Sequence, residues 1–241
     1  PQWPVVLIPS YKAHRVAEIV ETGPDVEEVP DPLEIQIPVI LAELDALGIP
    51  VVGIAAHEAD DVIASYASQT ETAVDVVTGD RDLFQLVDDA RGVRVIYTGR
   101  GMSNLDVLDE AAVVAKYGIL PAQYADFAVL RGDASDGLPG VAGIGEKTAA
   151  NLLAAHGDLT AIAAAAEHGE GMTAGVRAKI VAAADYLAVA PRVVEVVRDL
   201  PVPEVDARLR TPDPAGLEAI ATAWNLGTPL DRAAAAIAAR A

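Results

Sequence analysis

The sequence predicts an α/β core with a mostly parallel sheet, followed by an all-helical C-terminal part. Three observations carry this. Residues 74–78 are β-branched and apolar, a buried-strand pattern, and Gly79 breaks the run just before Asp80 and Asp82. Residues 51–55 lead in the same way into Glu58, Asp60 and Asp61 and another helical pattern. From Gly132 onward the strand signals vanish and helix follows helix. Sites in open α/β sheets form where strands end, so both acidic groups fall where chemistry is expected.

The bulk composition narrows the function. A chain of 241 residues is long enough for a sizeable core. It has no cysteine, which excludes disulfides, thiolate nucleophiles and cysteine-ligated zinc. No apolar run approaches the roughly 18 residues of a membrane span. The expectation is a cytoplasmic protein without membrane contact. The first residue is not Met, which predicts a start inside a longer gene product. The net charge of −19 excludes a surface that coats nucleic acid generally, while leaving room for local basic patches.

In order, residues 3–8 read as a short edge strand or extended segment, because prolines flank them. Tyr11, Lys12 and Arg15 form the first basic cluster, and Lys12 and Arg15 share a face if helical. Residues 21–32 are acidic and proline-rich and read as a mobile loop. Residues 33–47 carry a helical apolar stripe stopped by Gly48 and Pro50, with Pro38 marking a kink or a late start. After the two strand–carboxylate units, residues 93–98 predict a third strand near an edge. Helices are expected at about 108–117 and 121–130. The helical part is expected at about 146–155, 159–166, 173–187, 191–197, 215–224 and 229–239. No internal repeat is present.

The carboxylates carry the chemistry. Asp133 and Asp136 sit three apart in a glycine-rich turn, adding to the two earlier acidic groups. Such a set suits hard divalent cations, which prefer oxygen ligands. Two such ions about 4 Å apart can make a hydroxide and stabilise a leaving oxygen in a phosphodiester attack. His57-Glu58 fails as a zinc-protease motif because Asp61 stands where a second histidine is needed. His14, His156 and His168 have no partner at ligand spacing. Residues 138–149 nearly spell a P-loop, but Glu146 displaces Lys147 by one and no strand precedes it. What remains is a glycine hairpin between helices, whose amides and following helix N-terminus can hold a phosphate of the backbone.

Four motifs then stand together: Glu58-Ala59-Asp60-Asp61-Val62-Ile63, Thr78-Gly79-Asp80-Arg81-Asp82, Arg131-Gly132-Asp133-Ala134-Ser135-Asp136-Gly137-Leu138-Pro139-Gly140, and Gly143-Ile144-Gly145-Glu146-Lys147-Thr148-Ala149. In this order and spacing they resemble the bacterial 5′→3′ exonuclease/flap endonuclease family, which includes the N-terminal nuclease domain of DNA polymerase I and stand-alone relatives. The resemblance covers most of residues 10–160. It implies a PIN-like (5′ nuclease) core over 1–131 with a helical arch at about 10–35. It also implies a helical DNA-binding region over 132–241, with a helix–two-turn–helix at about 138–156. It further implies that Glu58, Asp60, Asp61, Asp80, Asp82, Asp133 and Asp136 hold two or more Mg²⁺ or Mn²⁺ ions, directly or through water. Lys12 and Arg15 would orient the scissile phosphate. Tyr11, Arg81, Gly143, Gly145, Lys147 and Thr148 would contact DNA, and a K⁺ ion would sit at the helix–two-turn–helix. The implied partners are DNA with 5′ flaps, nicks or free 5′ ends, with a functional link to a DNA polymerase and ligase, and the implied state is a monomer.

The family opens with a strand carrying an Asp ligand and has a second Asp shortly before the arch. Neither is in this sequence, and the resemblance places both upstream of Pro1. The expected activity is two-metal hydrolysis of branched DNA. The competing expectations are a DNA-structure binder without catalysis, a truncated form lacking the first-strand metal ligands, and a PIN-type ribonuclease; the 140–149 hairpin, suited to duplex backbone, disfavours the last.

Overall fold

The computed structural model describes residues 7–11, 16–18, 26–27 and 31–241. Lys12, Arg15, most of the expected strand at 3–8 and most of the acidic loop at 21–32 lie outside the described residues. The chain divides into two compact units, one drawn from residues 1–26 and 56–200, the other from 27–55 and 201–241.

In the first unit, β3 (Val74–Thr78) pairs parallel with β4 (Val93–Tyr97), from Val74 opposite Val93 to Thr78 opposite Tyr97. A further bond from the Thr98 amide to the Thr78 carbonyl, at 2.8 Å, carries the register past the strand ends. β5 (Asp106–Leu108) then pairs antiparallel with β4. Val93 and Val95 on β4 are buried, as is Val76 on β3, because alternate side chains of a strand share one face. The earlier strands are short: β1 (Val16–Glu18) and β2 (Val26–Glu27) form a two-stranded sheet. Asp31–Glu34, in the second unit, forms a single helical turn, α1.

Two strand expectations need correction. Residues 51–54 join no sheet among the described residues. Apolar β-branched content makes a strand only where a partner backbone offers a ladder. The strand at 93–97 is not an edge: it is the middle of the three-stranded sheet, because β5 covers its far side. The helix expected from about 108 begins later, because Leu108 is the last residue of β5. The helix α4 (Glu110–Tyr117) starts only where the Asp109 side chain accepts from the Ala112 amide at 2.8 Å and caps it.

The acidic turns adjoin helices that pack against this sheet and one another. Helix α3 (Ala59–Gln69) follows Glu58. The apolar run after Asp80 forms a 3₁₀ helix, Asp82–Leu86, and Leu83, Phe84, Gln85 and Leu86 are all buried. Helix α5 (Tyr124–Arg131) brings Tyr124 and Phe127 into the core. Phe84 meets Tyr124 edge-on at 5.3 Å between ring centres, an arrangement aromatic quadrupoles favour. The later helices of this unit are α6 (Glu146–His156), α7 (Leu159–His168), α8 (Ala174–Ala182), α9 (Ala184–Val189) and α10 (Pro191–Val194). The helix expected over 173–187 is thus broken at Ala183, whose amide bonds both Lys179 and Ile180 carbonyls. Among the described residues after Gly132 there is no strand, as the sequence predicts.

A strap over 194–200 laces this unit together. Gln85, buried in the core, donates to the Val194 carbonyl at 3.1 Å and accepts from the Val196 amide at 3.2 Å. The buried Ser65 hydroxyl donates to the Val197 carbonyl at 3.0 Å and accepts from the Leu200 amide at 3.2 Å. Both polar side chains are satisfied, which makes their burial tolerable.

In the second unit, α2 (Ile37–Ala46) begins with Pro38 in its first turn, so the proline marks the late start. Helices α11 (Pro214–Trp224) and α12 (Thr228–Ala238) complete it. Ala46, Leu47, Leu217 and Leu230 form its small core. The Asp213 amide caps the end of α2 by donating to the Ala46 carbonyl at 2.8 Å. No helix among the described residues is long and apolar enough to cross a membrane.

Candidate metal centre and nucleic-acid interface

Where β3 ends, Gly79-Asp80-Arg81-Asp82 turns the chain into the 3₁₀ helix. Asp80 shapes this turn locally: its amide donates to the Thr78 hydroxyl and its Oδ1 accepts from the Asp82 amide, both at 2.9 Å. Short Asp–backbone bonds of this kind favour turns over regular structure. The third carboxylate comes from the 131–140 turn. There the Asp133 and Leu138 backbones exchange bonds of 2.9 and 2.8 Å, and the Val141 amide donates to the Leu130 carbonyl. The closed turn folds Asp136 inward, leaving it 7% exposed.

The result is a group of three carboxylates, Asp80, Asp82 and Asp136, each placing an oxygen within 4.8 Å of the others. Among the described residues no other group of three potential ligands comes together. Three hard oxygens, one of them deeply buried, fit a divalent cation such as Mg²⁺ or Mn²⁺. No cysteine or histidine belongs to the group, so a soft metal is disfavoured.

The other four candidate ligands are not in this group. Asp133 is committed to the protein: its Oδ1 accepts from the Ser135 amide at 3.0 Å and from the Ser135 hydroxyl, and its Oδ2 accepts from Arg131 at 3.1 Å and Arg81 at 3.3 Å. Burial pushes its carboxyl up, but the Ser135 donors and the two guanidiniums outweigh this and hold it below the usual carboxylate range. Asp61 is also engaged, accepting from the Glu58 amide at 3.2 Å and from the Val197 amide at 2.9 Å. Glu58 and Asp60 are half-buried at the start of α3, outside the group of three. Arg81 lies between the carboxylates, half-exposed and bonded to Asp133.

Just beyond the acidic turn, Gly143, Gly145, Glu146 and Lys147 are exposed at the start of α6, and Thr148 is half-buried. The helix N-terminus, two glycines and a lysine form an anion-accepting end. Lys179 on α8 donates to the Gly143 carbonyl at 2.8 Å, and a Cβ on Gly143 would stand 2.8 Å from its ammonium. Tyr11 is 4% exposed and lies in the core.

Sequence reasoning passed over three residues that hold this region. Arg131 was seen only as part of a motif, Lys179 has no local signal, and Tyr186 reads as an ordinary helical aromatic. The Tyr186 hydroxyl donates to the Val129 carbonyl at 3.0 Å and accepts from the Gly140 amide at 3.2 Å. Burial pushes it up to about 12 despite the Gly140 donor, so it stays protonated.

Comparison with known proteins gives the family and the fold. Residues 2–118 match the 5′-3′ exonuclease N-terminal resolvase-like domain, and residues 119–215 the 5′-3′ exonuclease C-terminal SAM fold. A 5′-3′ exonuclease of Streptomyces coelicolor is 57% identical over 235 residues, covering 96% of this chain and 78% of that protein. One from Mycobacterium tuberculosis is 53% identical over 211 residues, covering 84% of this chain and 66% of that protein. Among solved structures, a bacteriophage T5 D15 flap endonuclease in a pseudo-enzyme-product complex with DNA and metal ions aligns over 98% of this chain and 78% of that one. Its TM-score is 0.60 at 20% identity, a likeness of fold.

Proposed function

This chain belongs to the 5′-3′ exonuclease family, and we propose that it hydrolyses DNA phosphodiesters at 5′ flaps, nicks or free 5′ ends. Two-metal hydrolysis is the general property of that family. The observation that carries the reading is the meeting of Asp80, Asp82 and Asp136 at the end of β3. A divalent ion held there would supply a hydroxide and polarise the phosphate. Asp80, Asp82 and Asp136 would hold it, and Mg²⁺ or Mn²⁺ suits their oxygens. Glu58 and Asp60 are proposed to complete a second metal position, acting directly or through water. Asp133 and Asp61 support the turns rather than the metal. Lys12 and Arg15 are proposed to orient the scissile phosphate.

The start of α6 is proposed to grip duplex backbone through Gly143, Gly145, Lys147 and Thr148. A K⁺ at this turn would compete with Lys179, whose ammonium already holds the Gly143 carbonyl. The PIN-like core is proposed to span 1–131 and the DNA-binding helices 132–241. A monomer, cytoplasmic and nucleoid-associated, working beside a DNA polymerase and ligase, fits this role.

The test is cleavage of an end-labelled 5′-flap duplex with Mg²⁺ or Mn²⁺ and with EDTA, beside binding of the same DNA. Cutting near the junction that EDTA abolishes and Asp80→Asn lowers about a hundredfold or more supports the reading, since loss of a supporting group alone typically costs about 10–100-fold. Binding without cutting would instead make the chain a DNA-structure binder.

A further inference from the structure

Arg131 occupies the place where the acidic turn meets the gripping helix. It is the last residue of α5 and its side chain is only 11% exposed. Its guanidinium makes three separate bonds. Nε donates to the Gly132 carbonyl at 2.9 Å, one terminal nitrogen to Asp133 at 3.1 Å and the other to Glu146 at 3.3 Å. Its carbon lies 5.2 Å from the centre of the Phe127 ring, which fixes the plane of the group.

These contacts reach two different elements. Asp133 anchors the turn that folds Asp136 against Asp80 and Asp82, because the Asp136 amide bonds back to the Asp133 carbonyl. Glu146 is the first residue of α6, next to Lys147 and just after the exposed Gly143–Gly145 turn. Five donors in a rigid fork can tie a carbonyl and two carboxylates at once, which a lysine ammonium on a flexible stem does not reproduce.

We propose that Arg131 is a positioning residue that couples the acidic group to the DNA-gripping end of α6. It sets the register between the carboxylates that hold the metal and the amides and lysine that hold the backbone. The inference rests on the reading of Asp80, Asp82 and Asp136 as a metal centre. Charge balance for Asp133 does not need Arg131 alone, since Arg81 also bonds it. Among the described residues, Arg81 pairs with Asp133, whereas Arg131 pairs with both Asp133 and Glu146.

The experiment compares the unchanged chain with Arg131→Lys, Arg131→Gln and Glu146→Gln. Mn²⁺ binding is read by electron paramagnetic resonance without DNA, and duplex affinity is read without metal, both well below each variant's unfolding midpoint. Arg131→Lys keeps a cation beside Asp133 and separates bridging from charge. Glu146 has a mostly exposed side chain, 66% exposed, so Glu146→Gln is the gentle break. The expectation is Mn²⁺ affinity lowered about tenfold and duplex affinity several-fold in both Arg131 variants, the size of losses seen when groups behind a metal ligand are removed. Glu146→Gln should weaken duplex binding several-fold. A folded Arg131→Lys that matches the unchanged chain in both affinities overturns the coupling and leaves only charge balance. Loss of Mn²⁺ affinity with duplex affinity unchanged in all three variants overturns it as well. An unchanged chain that binds no Mn²⁺ overturns the metal centre, and the coupling with it, which separates that failure from a failure of Arg131 alone.

Discussion

Gly132 and Gly140 meet backbone to backbone across the base of the acidic turn. A Cβ on Gly140 would stand 2.5 Å from the Gly132 amide nitrogen, and one on Gly132 would stand 2.9 Å from the Gly140 amide nitrogen. Both have positive φ, 81° and 69°, which an L side chain adopts with strain. The turn that delivers Asp136 therefore closes only because neither residue has a side chain.

Gly140→Ala should destabilise the chain by more than about 1 kcal/mol, because conformation and contact both oppose it. It should also lower Mn²⁺ affinity. Gly145→Ala is the control: a Cβ there meets nothing within 4 Å and φ is −99°. Urea unfolding and Mn²⁺ titration of the two variants check this. Equal behaviour would show that the close approach does not govern the turn.

Asp61 separates a structural carboxylate from a ligand. Asp61→Asn keeps one acceptor oxygen and loses the other, so the Glu58 or the Val197 amide goes unmet. The expected loss is about 1–2 kcal/mol of stability, with Mn²⁺ affinity unchanged. A large drop in Mn²⁺ affinity in a well-folded variant would return Asp61 to the ligand set.

Tyr186→Phe removes one hydroxyl that serves the Val129 carbonyl and the Gly140 amide together. Leaving buried groups unpaired costs about 1–3 kcal/mol. The unfolding midpoint should fall, and amide hydrogen exchange at Gly140 should rise above that of α6. Exchange that stays slow at Gly140 would argue against the hydroxyl as its anchor.

Lys179→Met frees the Gly143 carbonyl and removes a cation from the gripping turn. Duplex affinity should fall several-fold in Na⁺ and recover partly when K⁺ replaces it, because a carbonyl released by an ammonium can take a monovalent ion. Fluorescence anisotropy of a labelled duplex in each salt reads this. Full affinity in Na⁺ would mean that Lys179 does not support the turn.

Asp126 gives a pH signature away from the metal. It lines a cavity of about 600 Å³ with Asp158, Glu167 and Glu195. Burial raises its carboxyl, the Leu159 amide opposes this, and Asp158 and Glu195 add to the rise. The folded value lies above the ordinary 3.8, so its stabilising protonation is complete below 3.8 and is lost as pH rises through the folded value. At pH 7 the carboxylate therefore opposes folding. Asp126→Asn should raise the unfolding midpoint at pH 7, and the gain should shrink as pH falls toward 4. A gain that is the same at both pH values would rule out titration as its cause.

Much of the architecture was legible in the sequence. The alternating run at 74–78, the break at Gly79 and the helix stripes act through neighbours in the chain, so they announce β3, the Asp80 turn and most helices directly. Pro38 likewise signalled a kink or a late helix start, and it stands in the first turn of α2, because a missing N–H has a local effect. Tertiary structure decided the rest. Residues 51–54 have strand composition but no ladder among the described residues, and β4 became central only because Asp106–Leu108 came to pair with it. Seven carboxylates of equal standing in the sequence were sorted by what folded against them. Val197, 136 residues away, took Asp61, and Arg81, 52 residues away, joined Arg131 on Asp133, while Asp80, Asp82 and Asp136 were brought together. Spacing fixes which way a side chain leaves the backbone, but its partner arrives from distant chain, and charge and hydrogen bonding act only at the distances the packed core sets.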